Sequence, residues 1–85
     1  MGELIKLKYP VEHNGQSFDS LTMRRCKVKD RRAATKQWAT DEDREIGLIA
    51  NLCDVPPAVI DELDAFDYNA VLTVFKGFFV QDTET

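Results

Sequence analysis

The sequence is poor in the residues from which small chemical sites are built. Its 85 residues include a single histidine, His13, and two cysteines, Cys26 and Cys53, far apart and without Cys-x-x-Cys spacing. The usual zinc and dithiol motifs are therefore excluded. Both cysteines read as core or half-buried thiols, the common state of free cysteine; a disulfide would require an oxidising compartment. There is no Gly-x-x-x-x-Gly-Lys phosphate loop and no Gly-x-Ser-x-Gly nucleophile elbow. No stretch approaches the roughly 18 apolar residues of a membrane span. The first nine residues alternate lysines with aliphatics and do not form a signal-peptide core. The expectation is a soluble chain, not exported by a signal peptide, with no membrane partner, no cofactor and no metal, and not an enzyme.

What is present is a composition ordinary for a folded domain, 44% hydrophobic and 31% charged. The length allows one core, expected over residues 1–80, with a polar, flexible tail at 81–85. The net charge of −4 conceals a division. Residues 1–38 carry nine Lys/Arg against four acids, and residues 39–85 carry two against eleven. Such asymmetry suits a molecule that stacks head to tail, or a basic face that meets an acidic partner; solvated surface on both halves is the plain alternative.

Hydropathy patterning predicts an α+β fold, a β-hairpin at about 3–9 and 17–25 followed by helices at about 31–39, 41–53, 57–63 and 67–80. Residues 3–9 alternate with a period of two and place Ile5, Leu7 and Tyr9 on one face. Asn14-Gly15 is a strong hairpin signal, because a type I′ turn needs positive φ at both central residues. That turn pairs His13 with Gln16 and Val11 with Phe18, and leaves Pro10 without a ladder bond to donate. The second strand slips phase between Phe18 and Leu21, which a bulge around Asp19-Ser20 would repair; the alternative is that the strand proper starts only at Ser20. Asp30, Thr40 and Asp67 read as helix N-caps, and Asp54-Val55-Pro56-Pro57 as a stop followed by a restart.

Candidate function then rests on two stretches. Arg24, Arg25, Lys27 and Lys29 begin a basic run that continues to Lys36, of the kind that neutralises phosphates. It supports an alternative reading as a small regulatory protein that binds RNA or non-specific DNA through 24–36. A helix-turn-helix reading fails, since the would-be recognition segment 57–64 carries three acids and no base. The last helix is apolar around more of its circumference than a surface helix needs. Tyr68, Leu72, Phe75, Phe78 and Phe79 are the candidate partner-binding residues, against the plainer reading of a central core helix. His13 sits beside the turn, and Asp41, Glu42, Asp43 and Glu45 suit a helix start; neither group suggests catalysis.

In order and spacing, the segments resemble the short tail assembly chaperones of contractile-tailed phages of the Mu-like type. The resemblance is carried by Leu21-Thr22-Met23-Arg24, Val28-Lys29-Asp30 with Arg32-Ala33-Ala34, and Asp43-Arg44-Glu45-Ile46. It continues through Leu48-Ile49-Ala50-Asn51-Leu52-Cys53, Val55-Pro56-Pro57, Ile60-Asp61-Glu62-Leu63 and Leu63-Asp64-Ala65-Phe66-Asp67-Tyr68. It implies a non-catalytic phage or prophage protein acting in the bacterial cytoplasm. Its implied partners are the tape-measure protein and tail-tube subunits, with self-association into a homo-oligomer as a further state.

Overall fold

The computed structural model describes residues 2–79. Two strands, β1 (Gly2–His13) and β2 (Gln16–Arg24), precede four helices, α1 (Val28–Gln37), α2 (Asp41–Cys53), α3 (Pro57–Asp61) and α4 (Ala65–Gly77). This is the expected order of hairpin and helices. The expected helix end at 80 and tail at 81–85 lie outside the described residues.

Asn14 (φ 52°) and Gly15 (φ 79°) both adopt positive φ, as a type I′ turn requires. The antiparallel ladder starts His13–Gln16 and Val11–Phe18, then breaks and resumes from Lys6–Ser20 to Gly2–Arg24. Four residues of β1, Leu7 to Pro10, thus face the single residue Asp19 of β2. The irregularity lies in β1, not at Asp19-Ser20, and it extends β1 well beyond residue 9. Pro10 has no N–H to lose, so the extra residues are lodged there at little cost. The offset changes by an odd number, which reverses the face of β2 turned to the core. Leu21 and Met23 are buried beyond the break, while Phe18 before it is half-buried. Ile5 and Leu7 are buried as expected, but Tyr9 is 49% exposed because the bulge turns it outward.

The bulge frees two consecutive N–H groups from the ladder. Lys8 and Tyr9 donate them to Oδ1 and Oδ2 of Asp67 on α4, each at 2.9 Å. Asp67 is 2% exposed. It is therefore not the N-cap of the last helix; Asp64 fills that place, accepting from the N–H of Phe66 at 3.0 Å, and the helix starts two residues earlier than expected.

A similar shift moves α1. Asp30 is the third helical residue, not the cap, and its Oδ2 accepts the N–H of Lys27 at 2.8 Å. This is the returning half of a capping box, so the helix begins at Val28 and ends at Gln37. In α2, Thr40 Oγ1 accepts from the N–H of Asp43 at 3.1 Å, as expected. The helix ends at Asp54, in the left-handed region (φ 58°), with Val55 donating back to Ala50. Pro57 opens α3, which stops at Asp61, short of the expected residue 63.

The core lies between the hairpin and the helices, with Met23, Ile49, Val59 and Val71 fully buried at its centre. Each such aliphatic contributes about 1.5–3 kcal/mol by leaving water. Gly47 allows α1 and α2 to close: the Trp38 ring lies against it, where any Cβ would collide.

Candidate functional site

The apolar residues of α4 do not form one face. Val71 and Phe75 point into the core, and Phe75 is only 6% exposed. Tyr68, Leu72, Val74 and Phe78 are half-buried, and Phe79, in the turn beyond the helix, is 48% exposed. Of the five apolar candidates, Phe75 is thus a core residue, and Tyr68 stands at the other end of the helix from Phe78 and Phe79.

The last two aromatics instead meet the basic segment. The Arg25 guanidinium lies 5.1 Å from the Phe78 ring centroid, and that of Arg31 lies 5.5 Å from Phe79. Phe79 packs edge-on against Phe75 at 5.1 Å, which fixes the exposed ring to the core. Guanidinium over an aromatic face is a weakly hydrated cationic surface, suited to burial against a partner. Arg31 was visible in sequence only as one base among several; its stacking on a residue 48 positions later has no local signal.

The remaining basic candidates divide. Arg24 is occupied internally, donating through Nη1 (2.9 Å) and Nη2 (3.0 Å) to the two oxygens of Asp30. This fork, with the Lys27 N–H, lowers the Asp30 carboxyl to about 2. Arg25, Lys27 and Lys29 are exposed and, among the described residues, enter no salt bridge. Beside Phe79 runs an open groove of about 530 Å³ between α1 and α2, lined by Leu48, Ala34, Arg31 and Arg44 but also by Asp41 and Glu45.

A family model described as "Phage tail assembly chaperone proteins, E, or 41 or 14" matches residues 4–80. The chain belongs to that family. No curated protein and no solved structure matches it. The chaperone family places this protein in phage tail assembly, with a protein partner, and the family is non-catalytic.

The residues that carried the resemblance are those that hold the chaperone together. Val28-Lys29-Asp30 supplies the Arg24 fork, Val55-Pro56-Pro57 the α2–α3 turn, and Leu63 to Tyr68 both the α4 cap and the Asp67 clasp. Half-buried Phe78 and exposed Phe79 lie outside those segments. Cys53 in the chaperone core is a protonated thiol, pushed up to about 11 by burial, and burial likewise raises half-buried Cys26; both are free and poorly nucleophilic. Among the described residues no helix is long and apolar enough to cross a membrane, and no group of three or more His, Cys, Asp or Glu is placed to hold a metal.

Proposed function

We propose that this chaperone binds the tape-measure protein during tail assembly in the host cytoplasm, keeping it available for tail-tube subunits to polymerise around it. The contact is the basic, aromatic end formed by Arg25, Lys27, Lys29, Arg31, Phe78 and Phe79. The observation that carries the reading is the pair of Arg–Phe stacks, which joins the two sequence candidates, basic and aromatic, into one surface. Aromatic and Arg residues are the usual anchors of protein interfaces.

The nucleic-acid reading rests on the whole basic run 24–36, which shares this end, and the surroundings of Arg31 favour a polypeptide. Asp41 and Glu45 line the groove beside Arg31 and Phe79, a mixed-charge setting that phosphates avoid and a polypeptide with both charges and apolar residues fits.

Co-expression with fragments of the tape-measure protein tests the proposal. Phe79→Ala and Arg25→Glu, each with an unchanged circular dichroism spectrum, should weaken retention about 30-fold, the effect of losing an anchor of about 2 kcal/mol. Undiminished retention by both variants would sink it. Tight RNA or DNA retention that survives about 0.2 M salt would favour the alternative.

A further inference from the structure

The start of α4 carries a second aromatic and cationic cluster, at the opposite end of the helix from Phe78 and Phe79. Tyr9 and Phe66 are 49% and 60% exposed, and their rings meet edge-on with centroids 6.5 Å apart. The Lys8 ammonium lies 5.4 Å from the Phe66 centroid and 5.9 Å from that of Tyr9. Two large rings left in water forgo the gain of burial, yet the fold fixes them there. The bulge turns Tyr9 off the inner face that Ile5 and Leu7 share, a re-aiming for which bulges are commonly used. Asp67 then binds the backbone of Lys8 and Tyr9, and Asp64 that of Phe66. Rings on so rigid a support lose little further freedom when a partner covers them.

The outward residues of α4 join this cluster to the basic end. Asn69, Ala70, Thr73, Lys76 and Gly77 are exposed, and with Phe66 they follow the i, i+3, i+4, i+7 spacing of a single helical face. None of them is an acid. Thr73 donates its hydroxyl back to the Asn69 carbonyl at 2.9 Å, and a Cβ added at Gly77 would meet nothing within 4 Å, so the middle of the strip is low and open. Among the described residues, neither Lys8 nor Lys76 enters a salt bridge.

We infer that Lys8, Tyr9 and Phe66 form a second anchor for the tape-measure protein, one segment of which lies along the outer face of α4 from this cluster to the basic end. The inference rests on the tape-measure reading above. Phe66 and Phe78 are separated on α4 by about 18 Å at the helical rise. Each cluster presents a cation over an aromatic ring, and the strip between them carries no acid. The matching segment therefore has a carboxylate beside a large apolar side chain at each of two points that far apart. Once one point is engaged, the other binds at a high effective concentration, so the joint hold exceeds that of either cluster alone.

Titration calorimetry of the full chain with tape-measure fragments tests this. Phe66→Ala and Lys8→Glu leave the backbone bonds to Asp64 and Asp67 in place. Both should keep the urea midpoint of the parent and bind at least about 10-fold more weakly, as the loss of an interface anchor does. Lys8→Gln gives the same reading should the charge reversal disturb the hairpin. Fragments trimmed until they reach the basic end alone should bind the parent and Phe66→Ala equally, and still bind Phe79→Ala more weakly. A merely structural role for Phe66 would not depend on fragment length. Should Phe66→Ala and Lys8→Glu hold every fragment as tightly as the parent while Phe79→Ala and Arg25→Glu do not, the second anchor is overturned and the basic end stands. The reverse pattern strikes the basic end and removes the two-point hold with it. A parent chain that holds no fragment strikes the proposed partner itself.

Discussion

Asp67 holds the backbone N–H of Tyr9 at 2.9 Å across 58 residues of sequence, while its second oxygen holds that of Lys8. The carboxylate supplies two acceptors where the bulge in β1 has withdrawn two donors from the sheet. Asparagine has one acceptor and would aim an N–H at the other donor. Asp67→Asn should therefore cost about 1–3 kcal/mol, a fall in Tm of about 4–8 °C per kcal/mol in a domain of this size. Urea denaturation measures the first and calorimetry the second. A change below about 0.5 kcal/mol, typical of a surface substitution, would show that water serves these donors equally well.

The Arg24–Asp30 fork should make stability depend on acid. The Asp30 carboxyl is depressed to about 2 from an ordinary value of 3.8. The carboxylate is the favoured folded form, so its contribution is fully present above the unfolded pKa and is lost as pH falls through the folded one. The window is thus about pH 4 to 2. Arg24 is half exposed, so the contribution at neutral pH is on the order of 1–2 kcal/mol after screening. Asp30→Asn should flatten that part of the profile, as followed by urea midpoints measured at each pH.

Two helical glycines should respond in opposite directions to alanine. Alanine gains about 1 kcal/mol over glycine inside a helix. At Gly77 nothing lies within 4 Å of the added Cβ, so Gly77→Ala should raise Tm. At Gly47 the Cβ would run into the Trp38 ring, and Gly47→Ala should destabilise by about 1–3 kcal/mol, with an accompanying change in tryptophan emission. Equal stabilisation by both would show that the α1–α2 contact yields readily.

Phe75 and Phe79 touch each other yet should separate cleanly on mutation. Phe75 is 6% exposed and Phe79 48%. Phe75→Ala should cost about 3–5 kcal/mol, comparable to the whole stability of a small domain, and give an unfolded or nearly unfolded chain. Phe79→Ala should leave the denaturation midpoint within about 1 kcal/mol of the parent. Loss of fold in both would make Phe79 a core residue.

Local signals in the sequence located the hairpin and helices well. The Asn14-Gly15 turn and the Thr40 cap each depend on residues a few positions apart, and both stand where the pattern placed them. Asp30 and Asp67 were misplaced for a common reason. Each looks like a cap because aspartate commonly is one, but each has been taken by a partner that pattern cannot show, Arg24 in one case and the bulged strand in the other. The bulge itself was felt as a phase slip in β2, although the extra residues lie in β1; a change of pairing offset looks the same from either strand. The candidate site was legible as two separate lists, one basic and one aromatic. That they form a single surface depends on contacts between residues 48 and 53 positions apart, and no periodicity extends that far.

The interruption in β1 also determines how copies of this chain can meet. A two-stranded sheet has two open edges, each a template for a foreign strand. Here the ladder along β1 is unbroken only over Gly2–Lys6 and again over Val11–His13, each run shorter than the six or seven residues from which stacked-strand fibrils grow. Between them Pro10 offers no donor, and the donors of Lys8 and Tyr9 are already committed to Asp67. Along β1 the backbone is thereby closed to pairing with a foreign strand, and contact with other chains is left to side chains.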